Sequence, residues 1–362
     1  MKRGFNLRDI DWLLLVAALA LATLGVLEIY STTLHTALAG EYRKQIDWAL
    51  AGAVLALLAS QIDYHIVLDQ SVALYVIGVI GLAALLVIGH PVGGVRRWIQ
   101  IGGLTFQVSE MVKLIIIICV AAYFAGRRAK PVTWKDLLAL GFMVGVPAYL
   151  VAREPDLGTA LTLLPAVVAG VFFAGIRFRQ LVIVGLAALC MAPIGWRLMR
   201  PYQRERIMTF IHPAQDVRGS SYQVTQSKIA IGSGGLWGKG VGHGTQSRLG
   251  FIPVSHADFI FAAFAEEQGF AGALVVLLLY SILLIRLLDG AQVAGDRAGA
   301  IFIIGLASVL FFQVAVNIGM MIGLLPITGI PLPLMSQGGS SVLFTFIGLG
   351  LALSVRMRRL VN

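Results

Sequence analysis

Of the chain's 362 residues, 58% are apolar and only 13% are charged, with a mean hydropathy of +0.86. A soluble domain carries about 25% charged residues, so a wholly water-exposed surface is excluded. The net charge of +10 sits between apolar runs, which points to anionic lipid head groups or a phosphorylated lipid substrate rather than nucleic acid.

The apolar runs are long enough for helices of ~20 residues to cross a ~30 Å hydrocarbon layer. Helix is the form in which bilayer-exposed backbone satisfies its own hydrogen bonds, and the short alternating segments of a β-barrel do not occur. Residues 1–11 are basic, but the run from Trp12 to about Tyr30 exceeds a secretion signal's apolar core and reads as an uncleaved first span. Ten spans are expected, at about 12–30, 47–62, 71–89, 107–125, 136–152, 157–175, 179–197, 262–286, 299–325 and 339–356. The fold class is therefore all-α: one polytopic membrane domain over 1–362, a bundle of about ten transmembrane helices. Cys119 and Cys190 lie inside apolar runs without motif spacing and read as buried, inert thiols.

An even number of spans puts both termini on one side. Short loops on that side carry Lys2, Arg3 and Arg8, then Arg127, Arg128, Lys130 and Lys135, then Arg177 and Arg179, then Arg356, Arg358 and Arg359. The positive-inside rule makes this side cytoplasmic. The one long connection, about 198–261, falls on the outer side although it carries Arg200, Arg204, Arg206, Arg218, Lys228, Lys239 and Arg248. Long loops cross regardless of charge, and a loop of this length usually has a function.

Four clusters carry candidate chemistry. In the first, Arg96-Arg97-Trp98 precedes Glu110 and Lys113, which stand one helical turn apart and can pair. That pair either neutralises itself or lines a polar wall where Lys113 meets an anionic substrate. The second packs Arg153, Glu154 and Asp156 into a tight Pro-Gly turn, where Arg153 can pair with Asp156 or with a ligand. The third is Val254-Ser255-His256-Ala257-Asp258, at the mouth of a span. Asp258 is either a helix N-cap or a half-desolvated general base, and His256 is a rival base. Glu266 and Glu267 follow roughly 12 Å down the helix, costly there unless they face a cavity or a partner. The fourth runs from Asn317 through Gly329-Ile-Pro331-Leu-Pro333 to Ser341, where proline and glycine predict a bent or re-entrant segment that can also line a groove. No metal-ligand cluster, Walker loop or dinucleotide fingerprint is present, although glycines at 232–240 can form phosphate-holding backbone nests.

Together these segments resemble the SEDS family of cell-wall polymerases, and most closely its RodA branch. The similarity is carried by Gly94-Val-Arg-Arg-Trp-Ile99, Ser109-Glu-Met-Val-Lys113, Pro155-Asp-Leu-Gly-Thr159 and Tyr202 to Pro213. It continues through Gln226 to Gly235, Gly238-Lys-Gly240, Gly244-Thr-Gln-Ser247, His256-Ala-Asp-Phe-Ile-Phe261, Glu266-Glu-Gln-Gly269 and Asn317 to Ser341. The short tails and Gly329-Ile-Pro-Leu-Pro333 favour the elongation branch over the division branch. The resemblance implies a peptidoglycan glycosyltransferase of the bacterial cytoplasmic membrane that polymerises lipid II during cell elongation. An acceptor 4-hydroxyl displaces undecaprenyl pyrophosphate from the donor sugar C1.

It also implies that Asp258 is the catalytic residue, as general base or as ligand of a divalent cation, Mg or Mn. Glu110, Lys113, Asp156, Arg96, Arg97, Lys239 and His256 are the expected substrate-binding residues. Implied partners are the nascent glycan strand, a class B penicillin-binding protein and other membrane proteins of the elongation machinery. The chain departs from the family pattern at Val254, where Glu is usual, at Ala257, where Thr is usual, and at Glu154, where Gln is common. Two rival functions remain at this stage, a lipid II transporter and a non-enzymatic scaffold for a penicillin-binding protein. Charges clustered toward the outer side rather than the midplane favour the enzyme.

Overall fold

The structure is a computed structural model that describes residues 10–34, 36, 38–88, 90–92, 95–101, 104–126, 131–212, 220–252 and 256–359. Lys2, Arg3, Arg8, Gly94, Arg127, Arg128, Lys130, Pro213, Arg218 and Pro253 to Ser255 lie outside the described residues, as does the side chain of Arg96.

The helices are α1 (Trp12–Thr33), α2 (Glu41–Gln61), α3 (Tyr64–Asp69), α4 (Ser71–Ile88), α5 (Val108–Ala125), α6 (Trp134–Arg153), α7 (Leu157–Thr162), α8 (Leu164–Ala174) and α9 (Phe178–Leu198). They continue as α10 (Pro201–Ile211), α11 (Ser220–Ser233), α12 (Thr245–Arg248), α13 (Ile260–Gln292), α14 (Arg297–Met321) and α15 (Gly339–Met357). Eight stretches among the described residues are long and apolar enough to cross a membrane: α1, α5, α6, α7 with α8, α9, α13, α14 and α15. Helix α4 is a shorter apolar helix, and α2 is more polar because its first turns carry Glu41, Arg43, Lys44 and Asp47. The chain is a polytopic, largely helical membrane protein.

Three features differ from the sequence reading. Residues 90–107, read only as a connection, form an antiparallel meander of β1 (His90–Val92), β2 (Val95–Ile101) and β3 (Leu104–Gln107), with Trp98 opposite Gln107 and Ile101 opposite Leu104. The signal was the period-two run Val95, Arg97, Ile99, Ile101 before Gly102-Gly103. The connection at 198–261 holds three helices, α10 to α12. Cys190 is exposed on α9 rather than buried, because α9 is exposed nearly everywhere; Cys119 is buried, and both thiols are free.

Helices α5, α14 and α15 are buried over most of their length and form the centre. Small residues let neighbouring backbones touch: a Cβ on Gly350 would stand 2.3 Å from the Ala56 carbonyl oxygen, so α15 lies directly on α2. At one end of the bundle, Asp11 caps α1 through the Leu14 N–H and pairs with Arg286 of α13, at 2.9 Å, and with Arg356 of α15. From Arg286 back to Phe270, α13 runs ~24 Å before its kink at Gly269, so residues 256–260 stand toward the opposite end. There a second, smaller core of Ala230, Ile252, Phe259, Ala262, Met320, Met321 and Ile327 fastens the α10–α12 layer to the bundle.

Between α14 and α15 the chain is non-helical from 322 to 338; it is exposed at Ile322, Leu324 and Leu325 and closed to solvent at Ile330, Leu332, Leu334, Met335 and Ser336. This is the bend anticipated around Asn317 to Ser341, and such backbone is tolerated at depth because protein surrounds it. Replacing Gly350 with Leu is expected to push α15 off α2 at a cost of about 1–3 kcal/mol, read as a lower melting temperature of the purified chain in detergent.

Candidate functional site

Asp258 does not cap α13. Phe259 occupies the N-cap position, no side chain caps that turn, and among the described residues the Asp258 carboxylate makes no hydrogen bond or ion pair. Its backbone is held instead. Asn317 Nδ2 donates to the Asp258 carbonyl at 3.0 Å and to the Ile330 carbonyl at 2.8 Å. Ser336 Oγ donates to the Ala257 carbonyl at 2.8 Å, and the Gln337 N–H to the His256 carbonyl at 3.1 Å. The non-helical segment 322–338 thus presents Asp258, half-buried, with its carboxylate uncommitted.

The surrounding charges come from distant parts of the chain. Arg97 on β2 pairs with Asp156 at 3.3 Å and donates to the carbonyls of Glu154, at 2.9 Å, and Pro155. Asp156 also caps α7 by accepting from the Thr159 N–H at 3.0 Å, so its partner is Arg97 and not Arg153, which binds the Tyr149 hydroxyl. Tyr202 of α10 donates to the Pro155 carbonyl at 3.1 Å. These donors converge on the Pro155 carbonyl and fasten the turn between α6 and α7. A Cβ on Gly158 would stand 2.4 Å from the Thr328 carbonyl oxygen, which seats this turn beside segment 322–338. On the other flank, Arg206 of α10 donates to the Ile327 carbonyl at 3.3 Å. Asp258 Oδ2 and Arg206 Nη1 lie 3.4 and 3.9 Å from the point where a Cβ on Gly329 would stand.

Burial and then Asp156 raise the pKa of Asp258 above the ordinary aspartate value, against Arg206 and Arg97, which lower it. Burial lowers that of His256, against a smaller opposing effect of Glu41. The two rival bases therefore face different neighbours: Asp258 faces Asp156, Arg97 and Arg206, and His256 faces α2.

Other expected site residues stand apart. Lys113 and Glu110 form a buried ion pair of 2.6 Å inside α5, and no described contact joins them to Asp258. Lys239 is committed to Glu266 at 2.6 Å and to Thr245 at 2.8 Å. Glu266 also accepts from the Thr245 and Gln246 N–H groups, and Glu267 accepts from Ser31 Oγ. Around Gly269, whose φ of 66° breaks α13, the N–H groups of Lys239, Gly240, Phe270 and Ala271 bond across to the Glu266, Glu267, Gly235 and Leu236 carbonyls. The glycine-rich segment is thus the partner that Glu266 and Glu267 require, and the structure uses Lys239 as its fastening. Arg96 has its backbone in β2.

A family model described as cell cycle protein, for FtsW, RodA and SpoVE, matches residues 11–360. The peptidoglycan glycosyltransferase MrdB of Escherichia coli K12 is 37% identical over 351 residues, 97% of this chain and 94% of that protein. RodA of Treponema pallidum, also named a peptidoglycan glycosyltransferase, is 31% identical, covering 97% and 98%. Among solved structures, a chain of a peptidoglycan synthase complex that coordinates polymerization and crosslinking superposes with TM-score 0.83 at 31% identity, over 98% of this chain and 99% of that one. The rod shape determining protein RodA of Thermus thermophilus superposes with TM-score 0.72 at 30% identity, covering 98% of each. The chain belongs to the FtsW/RodA/SpoVE family, the SEDS proteins.

Within this SEDS chain, sequence reasoning had not assigned Arg206 a role, although it lies in the Tyr202 to Pro213 stretch that carried the resemblance. Glu154 stood out as part of the charged turn and as a departure from the family pattern. It is 2% exposed with Oε1 unpartnered, and burial followed by Asp156 lifts its pKa from 4.5 to about 8, against Arg97, which lowers it. Folded chain therefore keeps the Glu154 proton to about pH 8, whereas unfolded chain loses it near 4.5, so rising pH between those values favours unfolding. Glu154→Gln is expected to flatten this fall; thermal melts of both proteins across that pH window measure it.

Proposed function

We infer that this chain is a peptidoglycan glycosyltransferase that polymerises lipid II at the outer face of the bacterial cytoplasmic membrane, with both termini cytoplasmic. The observation that carries the reading is the uncapped, half-buried Asp258 between Arg97 and Arg206 in a chain whose relatives are named for this activity.

In the proposed reaction the acceptor sugar's 4-hydroxyl attacks C1 of the donor. The new C–O bond forms as the bond from C1 to the diphosphate breaks. Asp258 takes the hydroxyl proton, and polyprenyl diphosphate leaves with the bonding electrons. A carboxylate with no internal hydrogen bond has its lone pairs available for that proton, and a raised pKa brings its basicity closer to neutral pH. Arg97 is neutralised by Asp156 and fixes the Glu154–Thr159 turn as a wall of the site. Among the described residues no three His, Cys, Asp or Glu are grouped to hold a metal. With Asp156 engaged, Asp258, as a ligand in place of a base, would be the residue to hold an Mg or Mn ion. It would supply charge neutralisation for the leaving group.

The structural relative that belongs to a synthase complex supports a partner for this chain, and a class B penicillin-binding protein is the proposed one, alongside other elongation proteins. Asp258→Ala, with that partner present, is expected to lower polymer formed from labelled lipid II by about 10²–10⁴-fold, with an unchanged melting temperature because the carboxylate holds no structural bond. Undiminished polymer from Asp258→Ala would remove the base. Intact partner binding with no polymer from the wild-type chain would favour the scaffold.

A further inference from the structure

Beside Asp258, on the far side of Arg206, a cavity of about 80 Å³ lies between α10, α11 and the start of the non-helical segment. Arg206, Thr209, Ser221, Thr225, Lys228 and Gly323 are among its lining residues. Two cations face one small space with three hydroxyl-bearing side chains around it, and no carboxylate is among its described lining residues. Lys228 forms no ion pair or hydrogen bond among the described residues, and the only described bond of Arg206 is one to a neutral carbonyl. By contrast, Arg97 is committed to Asp156 and Lys239 to Glu266.

The backbone makes room for this arrangement. Gly323 has φ 75°, and a Cβ there would stand 2.3 Å from Lys228 Nζ and Cε. Only glycine combines that conformation with space for the ammonium head. An Arg fork and a Lys point charge around a space of this size are the chemistry that recognises phosphate.

We propose that the Arg206–Lys228 pocket binds one phosphoryl group of the diphosphate that links the donor sugar to its polyprenyl chain. This rests on the glycosyltransferase reading and places the leaving group beside Asp258. Arg206 spans the two sites: its guanidinium reaches toward the carboxylate past Gly329 and also lines the pocket. The donor is thereby held by its diphosphate while C1 faces the base.

Farnesyl diphosphate is the probe, with inorganic pyrophosphate and farnesol as separate arms, titrated against the full chain in detergent. Lys228→Gln and Arg206→Gln are each expected to weaken farnesyl diphosphate binding about tenfold or more and to leave farnesol unaffected. Lys228 is exposed and supports no described contact, so its variant keeps the fold, and a thermal melt verifies this. Pyrophosphate binding that falls with the same substitutions assigns the recognition to the phosphate rather than the chain. Wild-type affinity in folded Lys228→Gln and Arg206→Gln overturns the proposal, as does equal loss of farnesol. Lipid II polymerisation in the same preparations separates the two claims. A raised KM in Lys228→Gln supports the pocket, whereas unchanged kinetics remove it and leave the enzyme reading standing. Diphosphate binding that depends on Lys228, in a wild-type chain that makes no polymer, keeps the pocket and removes the enzyme reading.

Discussion

A carboxylate at the mouth of an apolar bundle keeps its lone pairs free only when its own backbone is secured by other groups, and Asn317, Ser336 and Gln337 supply that security. They bond to the carbonyls of residues 256–258 and leave the Asp258 side chain with no structural duty. Had Asp258 capped α13, its oxygens would have been spent on backbone N–H groups and its basicity lowered. The arrangement depends in turn on the non-helical segment 322–338, which α1, α13 and the α7 turn enclose. Gly25 of α1 lies against Met335, Tyr280 of α13 donates to the Pro333 carbonyl, and Gly158 meets Thr328.

Charge pairing divides structural groups from chemical ones. Burying an ion is costly unless a partner and hydrogen bonds compensate it, and most buried ions here have both. Asp156 is held by Arg97 and by an N-cap bond, Glu110 by Lys113, and Glu266 by Lys239 with the Thr245 and Gln246 backbone. Against that background the uncommitted groups stand out: the Asp258 carboxylate, the cations Arg206 and Lys228, Glu154, kept protonated by burial, and Glu28 of α1, whose buried carboxylate has no hydrogen-bond partner among the described residues.

Broken helices give the α10–α12 layer its anchorage. At Gly269 the freed backbone of α13 bonds to the segment around 235–240, while Glu266 and Glu267 grip the same segment by side chain. The layer that carries Arg206 and Lys228 is therefore fastened to the bundle by α13 and by the small core at Phe259 and Ile327. This turns a long basic connection into a wall of the site.

Membrane class, a largely helical fold and the bend near 322–338 were legible in the sequence. Each depends on local properties, namely length, hydropathy, proline and glycine content, or an ordered series of short motifs. The β-meander was legible in principle from the alternation of Val95, Arg97, Ile99 and Ile101. Tertiary structure alone decided which charges meet. Arg97 finds Asp156 rather than a ligand, Lys239 serves Glu266, and Arg206 reaches Gly329. Cys190 proved exposed because α9 lies outside the packed centre. Such pairings depend on which helices pack together, and electrostatic energy acts over a few ångströms of space, however far apart the residues lie along the chain.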